Sequence, residues 1–220
     1  EGWVKEITQV NELKGLPDVN IAMASEAAKS RGLDGYVLTL EMPSYLGVMD
    51  HAENRDLRKE VHEAYVTRAS EIGPTAGQYD NTKVIDEILV LRSELASLLG
   101  FSDYAELSMV RKMARSTKEV QTFLTTLLDQ SLPKARDDLD ELRDFGLQRY
   151  GLESVRAWDV RFLTERLRIE KYSVSQEELR PYFPLERVLN GMFQVVETLY
   201  GIQISSSEPP DKWHEDVLFF

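Results

Sequence analysis

The stretch Asn81-Thr82-Lys83-Val84-Ile85-Asp86-Glu87-Ile88-Leu89-Val90-Leu91-Arg92-Ser93-Glu94-Leu95-Ala96-Ser97-Leu98-Leu99-Gly100 decides the fold class. Val84, Ile85, Ile88, Leu91, Leu95, Leu98 and Leu99 recur at steps of three and four, which gathers them into one stripe of an α-helix. Asn81 or Thr82 can cap its start, and Gly100 stops it. The same period recurs on both sides, so the expected class is mainly α.

Downstream, a shorter helix is predicted over about Tyr104 to Lys112. Ser116 with Glu119, and Ser175 with Glu178, have the spacing of capping boxes. Pro133 falls within or between two helices, the second running to about Tyr150. Helix is expected again over about Asp159 to Glu170 and over Pro184 to Tyr200, before Gly201. Upstream, Asp18 opens a helix to about Arg31, and Met42-Pro43-Ser44-Tyr45 breaks a strand predicted at 36–40. A long helix is expected over about Ala52 to Ile72, then a loop from Gly73 to Tyr79 with three helix breakers. Two further short strands are predicted at 202–205 and 216–220, where apolar residues cluster. The expected division is a helical lobe over 1–175, followed by a second region over 176–220.

Bulk properties narrow the function. The formal net charge is -12, and no block of Lys and Arg offsets it. Nucleic-acid binding draws on such blocks to neutralise phosphates, and anionic membrane surfaces attract them, so neither partner is expected. No apolar run approaches the roughly 18 residues that cross a bilayer. There is no cysteine, which removes disulfides and thiolate metal sites and fits a reducing compartment. The chain has no initiator Met and closes on Val217-Leu218-Phe219-Phe220, an apolar strand end that complete domains seldom leave unpaired. An internal piece of a longer polypeptide is the expectation.

The search for chemistry is short. His51 and His62 stand 11 residues apart, which on one continuous helix is about 16 Å along the axis. Ligand bonds to zinc are about 2 Å, so one ion cannot join them. His62-Glu63 and His214-Glu215 both begin like H-E-x-x-H, but Val66 and Leu218 stand where the second His is needed. These histidines therefore read as surface or packing residues. Asp137, Asp138, Asp140, Glu141 and Asp144 could serve acid–base or cation chemistry, but Arg136 and Arg143 interleave with them as on a solvated helix face. Gly73 to Gly77 lacks the Gly-Lys-Ser/Thr of a phosphate loop and reads as a connector. Met109 and Met113, four apart, read as core filler.

An ordered series of short stretches carries more. Leu40-Glu41-Met42-Pro43-Ser44-Tyr45, Asn54-Arg55-Asp56-Leu57-Arg58 and Ala64-Tyr65-Val66-Thr67-Arg68-Ala69-Ser70 come first. Asp80-Asn81-Thr82, Leu98-Leu99-Gly100-Phe101, Tyr104-Ala105-Glu106, Lys112-Met113-Ala114 and Trp158-Asp159 follow. Leu179-Arg180-Pro181-Tyr182-Phe183-Pro184, Val188-Leu189-Asn190-Gly191-Met192-Phe193, Trp213-His214 and Asp216-Val217 complete it. In this order and spacing the whole chain resembles the thimet oligopeptidase and oligopeptidase A family of zinc metallopeptidases.

That resemblance implies a two-lobed, mostly helical enzyme that cleaves short unstructured peptides in a deep channel. It implies zinc held by an H-E-x-x-H helix and a downstream Glu, with the motif's Glu as general base. The motif lies C-terminal to the part this chain resembles, so no catalytic residue and no metal ligand is assigned here. The isolated chain is expected to be inactive. The parent is expected to be a cytoplasmic monomer, with an organelle lumen as the other compartment. Arg180 and Tyr182 are the substrate-channel candidates, set against a buried structural role for both. One departure stands out: after Trp158-Asp159, members of the family that this chain resembles often have two adjacent aromatics where this chain has Phe162-Leu163, which would alter subsite preference if that helix faced the channel. A non-catalytic helical module that binds peptides or scaffolds other proteins is the alternative reading.

Overall fold

A computed structural model describes residues 2–173, 176–208 and 211–220. They form two compact units, one reaching to Lys171 and the other starting at Tyr172.

The first unit opens with β1 (Val4–Ile7), α1 (Asp18–Lys29) and β2 (Tyr36–Thr39). The two strands pair antiparallel, with Val4 opposite Thr39 and Ile7 opposite Tyr36. Val37 and Leu38 point to opposite faces of β2, and both are buried. Such a strand needs cover on two sides, which α1 and the following helices supply. β1 reads Val-Lys-Glu-Ile; its charged middle hides the apolar run that signals a strand.

Next come α2 (Met42–His51) and α3 (Arg55–Val66). The segment Met42-Pro43-Ser44-Tyr45 ends the strand but opens a helix: Pro43 sits in its first turn, where a missing N–H does no harm. The single helix expected over Ala52 to Ile72 is instead the shorter α3. Its start is fixed by Asn54, whose side chain accepts hydrogen bonds from the backbone N–H groups of Asp56 and Leu57 at 3.1 Å each. Turns from Thr67 onward replace its expected last turn, and Asn81 N–H closes that loop onto Ala69 O at 3.0 Å.

α4 (Thr82–Leu98), α5 (Tyr104–Met109), α6 (Thr117–Tyr150) and α7 (Ala157–Tyr172) follow. Pro133 lies inside α6, which runs through it. At the start of α6 the Ser116 hydroxyl accepts from Glu119 N–H at 3.1 Å, while Glu119 reaches back to Arg115 N–H at 2.7 Å, one residue before the position a capping box uses. α5 stops at Met109, so Met113 is not on its face; it is 99% exposed, and a core role for it is excluded.

Two cores form. Ile7, Leu13, Leu38, Val48, Met49 and Val61 anchor the larger one, with Trp158 packed against it. Phe145 of α6 with Phe162 and Leu163 of α7 make the smaller. The apolar residues of α4 lie outside both. Of its side chains only Ala96 is buried, while Val84, Ile85, Ile88, Leu89, Val90, Leu91, Leu95 and Leu98 are exposed.

The second unit holds α8 (Gln176–Leu179), a 3₁₀ turn (Arg180–Tyr182) and α9 (Leu185–Tyr200). The strands expected at 202–205 and 216–220 are not formed. Backbone at these sites is tied by isolated bonds: Ser207 N–H to Phe219 O at 3.0 Å and Ile204 N–H to the Glu197 carboxylate at 2.8 Å. An apolar run becomes a strand only with a ladder of partners, and these segments have none among the described residues. The Ser175–Glu178 capping box falls outside the described residues.

Candidate functional site

The strongest assembly of charged groups joins two of the ordered sequence stretches. Asn54 starts α3 so that Arg55 and Arg58 stand one turn apart on the side that meets α7. There the Asp159 carboxylate, wholly buried, receives Arg55 Nε at 3.0 Å on Oδ1 and Arg55 Nη2 at 2.7 Å on Oδ2. Arg58 Nη2 donates to Oδ1 at 3.0 Å, and the backbone N–H of Arg156 donates to Oδ2 at 3.0 Å. Arg58 is itself only 2% exposed, and its other donors reach Ala52 O at 2.7 Å, Trp158 O at 3.2 Å and Glu53 O at 3.3 Å. Its guanidinium carbon stands 4.2 Å from the ring centroid of Phe162.

Electrostatics follow from that geometry. Burial pushes the Asp159 carboxyl up, but the bonds from Arg55, the Arg156 N–H and Arg58 outweigh it and hold it below the ordinary carboxylate range. Burial draws Arg58 below its usual value, with Asp159 opposing, while the bond to Asp159 raises Arg55. A carboxylate so enclosed by donors has no free lone pair facing a cleft, so this cluster fastens helices and is not a proton-transfer site. A second tie lies beside it: Arg161 of α7 grips Asp50 of α2 at 2.6 and 2.8 Å.

His51 and His62 lie on different helices: His51 ends α2 and His62 lies within α3, so no continuous helix joins them. His62 Nδ1 is 3.2 Å from the Tyr45 hydroxyl, and its ring stands edge-on to Trp158. His214 Nδ1 accepts from Asp216 N–H at 3.2 Å. Among the described residues no group of three or more His, Cys, Asp or Glu could hold a metal ion. These residues do not fit a catalytic zinc site. The acidic residues of α6 are all exposed, with Lys134 on Asp138 and Arg143 on Asp140, each at 2.7 Å.

Arg180 and Tyr182 sit on the 3₁₀ turn before α9. Tyr182 is 67% exposed in this chain, and Arg180 is engaged with a partner. Phe162 and Leu163 are buried in the smaller core, so the departure there is one of packing and not of a substrate-facing surface. Sequence reading missed the Arg55–Asp159–Arg58 cluster. The signal was present, since an i, i+3 arginine pair and an isolated Trp-Asp both stood among the ordered stretches, but nothing in one sequence says that they meet.

The model of Peptidase family M3 matches residues 48–220. Oligopeptidase A of Escherichia coli (strain K12) is 45% identical over 219 residues, covering 100% of this chain and 32% of that protein. The organellar oligopeptidase A, chloroplastic/mitochondrial, of Arabidopsis thaliana is 42% identical, covering 98% of this chain and 28% of that protein. Saccharolysin of Saccharomyces cerevisiae is 31% identical, covering 94% and 29%. The chain thus spans about a third of the length of the curated relatives it matches.

Proposed function

The chain belongs to peptidase family M3, and from that premise we propose that it works as one section of a zinc-dependent oligopeptidase. The parent hydrolyses short, unstructured peptides in a channel between two lobes. Residues 1–175 supply helical lobe, and 176–220 lead into the catalytic core, with Arg180 and Tyr182 facing substrate. The observation that carries this reading is the alignment itself, 44–45% identity across the chain's whole length against proteins named as oligopeptidases.

Zinc and the residues that bind it belong, in this proposal, to the remainder of the enzyme. The uncovered apolar side chains of α4 and α9 support the same division, because exposed patches of that extent mark surfaces made for contact. The parent acts as a monomer on peptides, without nucleic acid or membrane, in the cytoplasm or an organelle lumen. Among the described residues no helix is long and apolar enough to cross a membrane.

The test is to express the whole reading frame that contains this chain and assay it with a short quenched peptide. The full product should hydrolyse it in a chelator-sensitive manner, and the 220-residue chain should not, even with added Zn²⁺. Chelator-sensitive hydrolysis by the chain alone would overturn its assigned inactivity. A full product with no hydrolysis would overturn the peptidase reading in favour of a helical peptide-binding module.

A further inference from the structure

A cavity of about 470 Å³ opens where Gly2 and Trp3, the start of α2 and the end of α3 with the loop after it meet. Its volume falls within the range of small-molecule sites. Trp3, Leu40, Met42, Tyr65 and Tyr79 give it an apolar, largely aromatic lining, and Arg68 supplies a cation at its wall.

Arg68 is held in place while part of its donor set stays unused. Its Nε donates to Tyr65 O at 3.0 Å, and its guanidinium carbon lies 3.8 Å from the Tyr65 ring centroid. Tyr65 in turn stacks on Tyr45 at 3.8 Å. Among the described residues no acceptor takes a hydrogen bond from either Nη of Arg68, and no carboxylate pairs with it. Glu41, the other charged residue on the lining, already has a partner. The next residue, Ala69, also lines the cavity and holds φ at +54°, a left-handed conformation that a residue with a Cβ rarely adopts. Strain of this kind gathers at ligand clamps. Here it turns the chain immediately after Arg68, and the bond from Asn81 N–H to Ala69 O locks the turn.

A planar cation with two free donor groups beside an aromatic cleft is matched by a carboxylate attached to an apolar side chain. We propose that this cavity binds the C-terminal carboxylate of an apolar amino acid or short peptide, with Arg68 on the carboxylate and the ring or alkyl group between Trp3 and Tyr79. The inference makes no use of the peptidase reading, and a parent without hydrolytic activity would leave it standing.

Ligand-observed NMR titration of the 220-residue chain with N-acetylphenylalanine, its amide, N-acetylglycine and free phenylalanine tests it. The N-acetylphenylalanine Kd should be about 1 mM or tighter, judged by what a ligand of that size can gain. The amide should bind at least about tenfold more weakly, since it loses a charge-assisted bond. N-acetylglycine, without the ring, should also fall behind. Arg68→Gln should bring the acid down to the level of the amide and leave the amide unchanged. Free phenylalanine binding like the acetylated form assigns the site to amino acids in general; binding only of the acetylated form assigns it to peptide C-termini. Equal affinity for acid and amide on the unsubstituted chain, or no saturable binding of either, would overturn the proposal without reference to any variant.

Discussion

Arg58 and Asp159 are 101 residues apart in the chain, yet Arg58 Nη2 rests 3.0 Å from Asp159 Oδ1, with neither side chain more than 2% exposed. Charges are seldom taken this far out of water. The penalty is met here by the number of bonds: four donors converge on the carboxylate oxygens from Arg55, Arg58 and the Arg156 backbone, apart from one longer contact. The pair fixes which face of α7 meets α3, and so sets where Trp158 and Phe162 enter the two cores.

Replacing Asp159 by Asn keeps the shape and removes the charge, leaving Arg58 buried without a counter-ion. Loss of one partner from a buried pair should lower stability by about 3–5 kcal/mol. Urea unfolding of the chain and of D159N measures it; a difference below about 1 kcal/mol would show that the pair is only a surface-strength contact.

The same residue sets a pH dependence. Asp159 is held below its ordinary range in the folded chain, so the unfolded chain binds its proton first as pH falls. The stabilisation is fully present above the unfolded value of about 4 and is lost as pH drops through the lower folded value. The gap between the parent chain and D159N in urea midpoint should therefore be constant from pH 7 to about 5 and narrow towards pH 3. A gap that stays the same at pH 3 would contradict this account.

Gly15 has φ +94°, and a Cβ added there would stand 2.3 Å from the backbone oxygen of His51. That approach lets Glu53 N–H reach Lys14 O at 2.9 Å, which ties the first loop to the end of α2. Gly15→Ala should destabilise by at least about 2 kcal/mol. Gly32→Ala, at φ +69° but with open space around the new carbon, should lose less, which isolates the clash from the backbone strain.

α9 exposes Leu185, Val188, Met192, Val195 and Leu199 at helical spacing. The chain by itself should bind a hydrophobic dye and associate as its concentration rises. Sedimentation velocity of Val188→Glu/Val195→Glu, which places two charges on this face, should show the association reduced.

What could be read from one sequence follows from the reach of each signal. α4 was legible because its stripe, its start at Thr82 and its stop at Gly100 all lie within 20 residues. The capping signal at Ser116 was legible for the same reason, while the Asn54 cap was hidden behind a helical pattern that seemed to run through it. β1 was invisible because its apolar content is small and its partner β2 lies across an intervening helix. The apolar tail at 217–220 read as strand because composition does not reveal whether a partner is present. The arginine pair and Asp159 could be seen separately, but their meeting depends on the path of α4, α5 and α6 between them.

The separation of Arg58 from Asp159 also sets an order of events during synthesis. Elongation at about 5–20 residues per second leaves Arg58 translated for roughly 5–20 s before Asp159 exists. Through that interval the β1–α1–β2–α2–α3 segment holds a cation built for enclosure with nothing yet to enclose it, so its final closure belongs to the moment when α7 clears the ribosome.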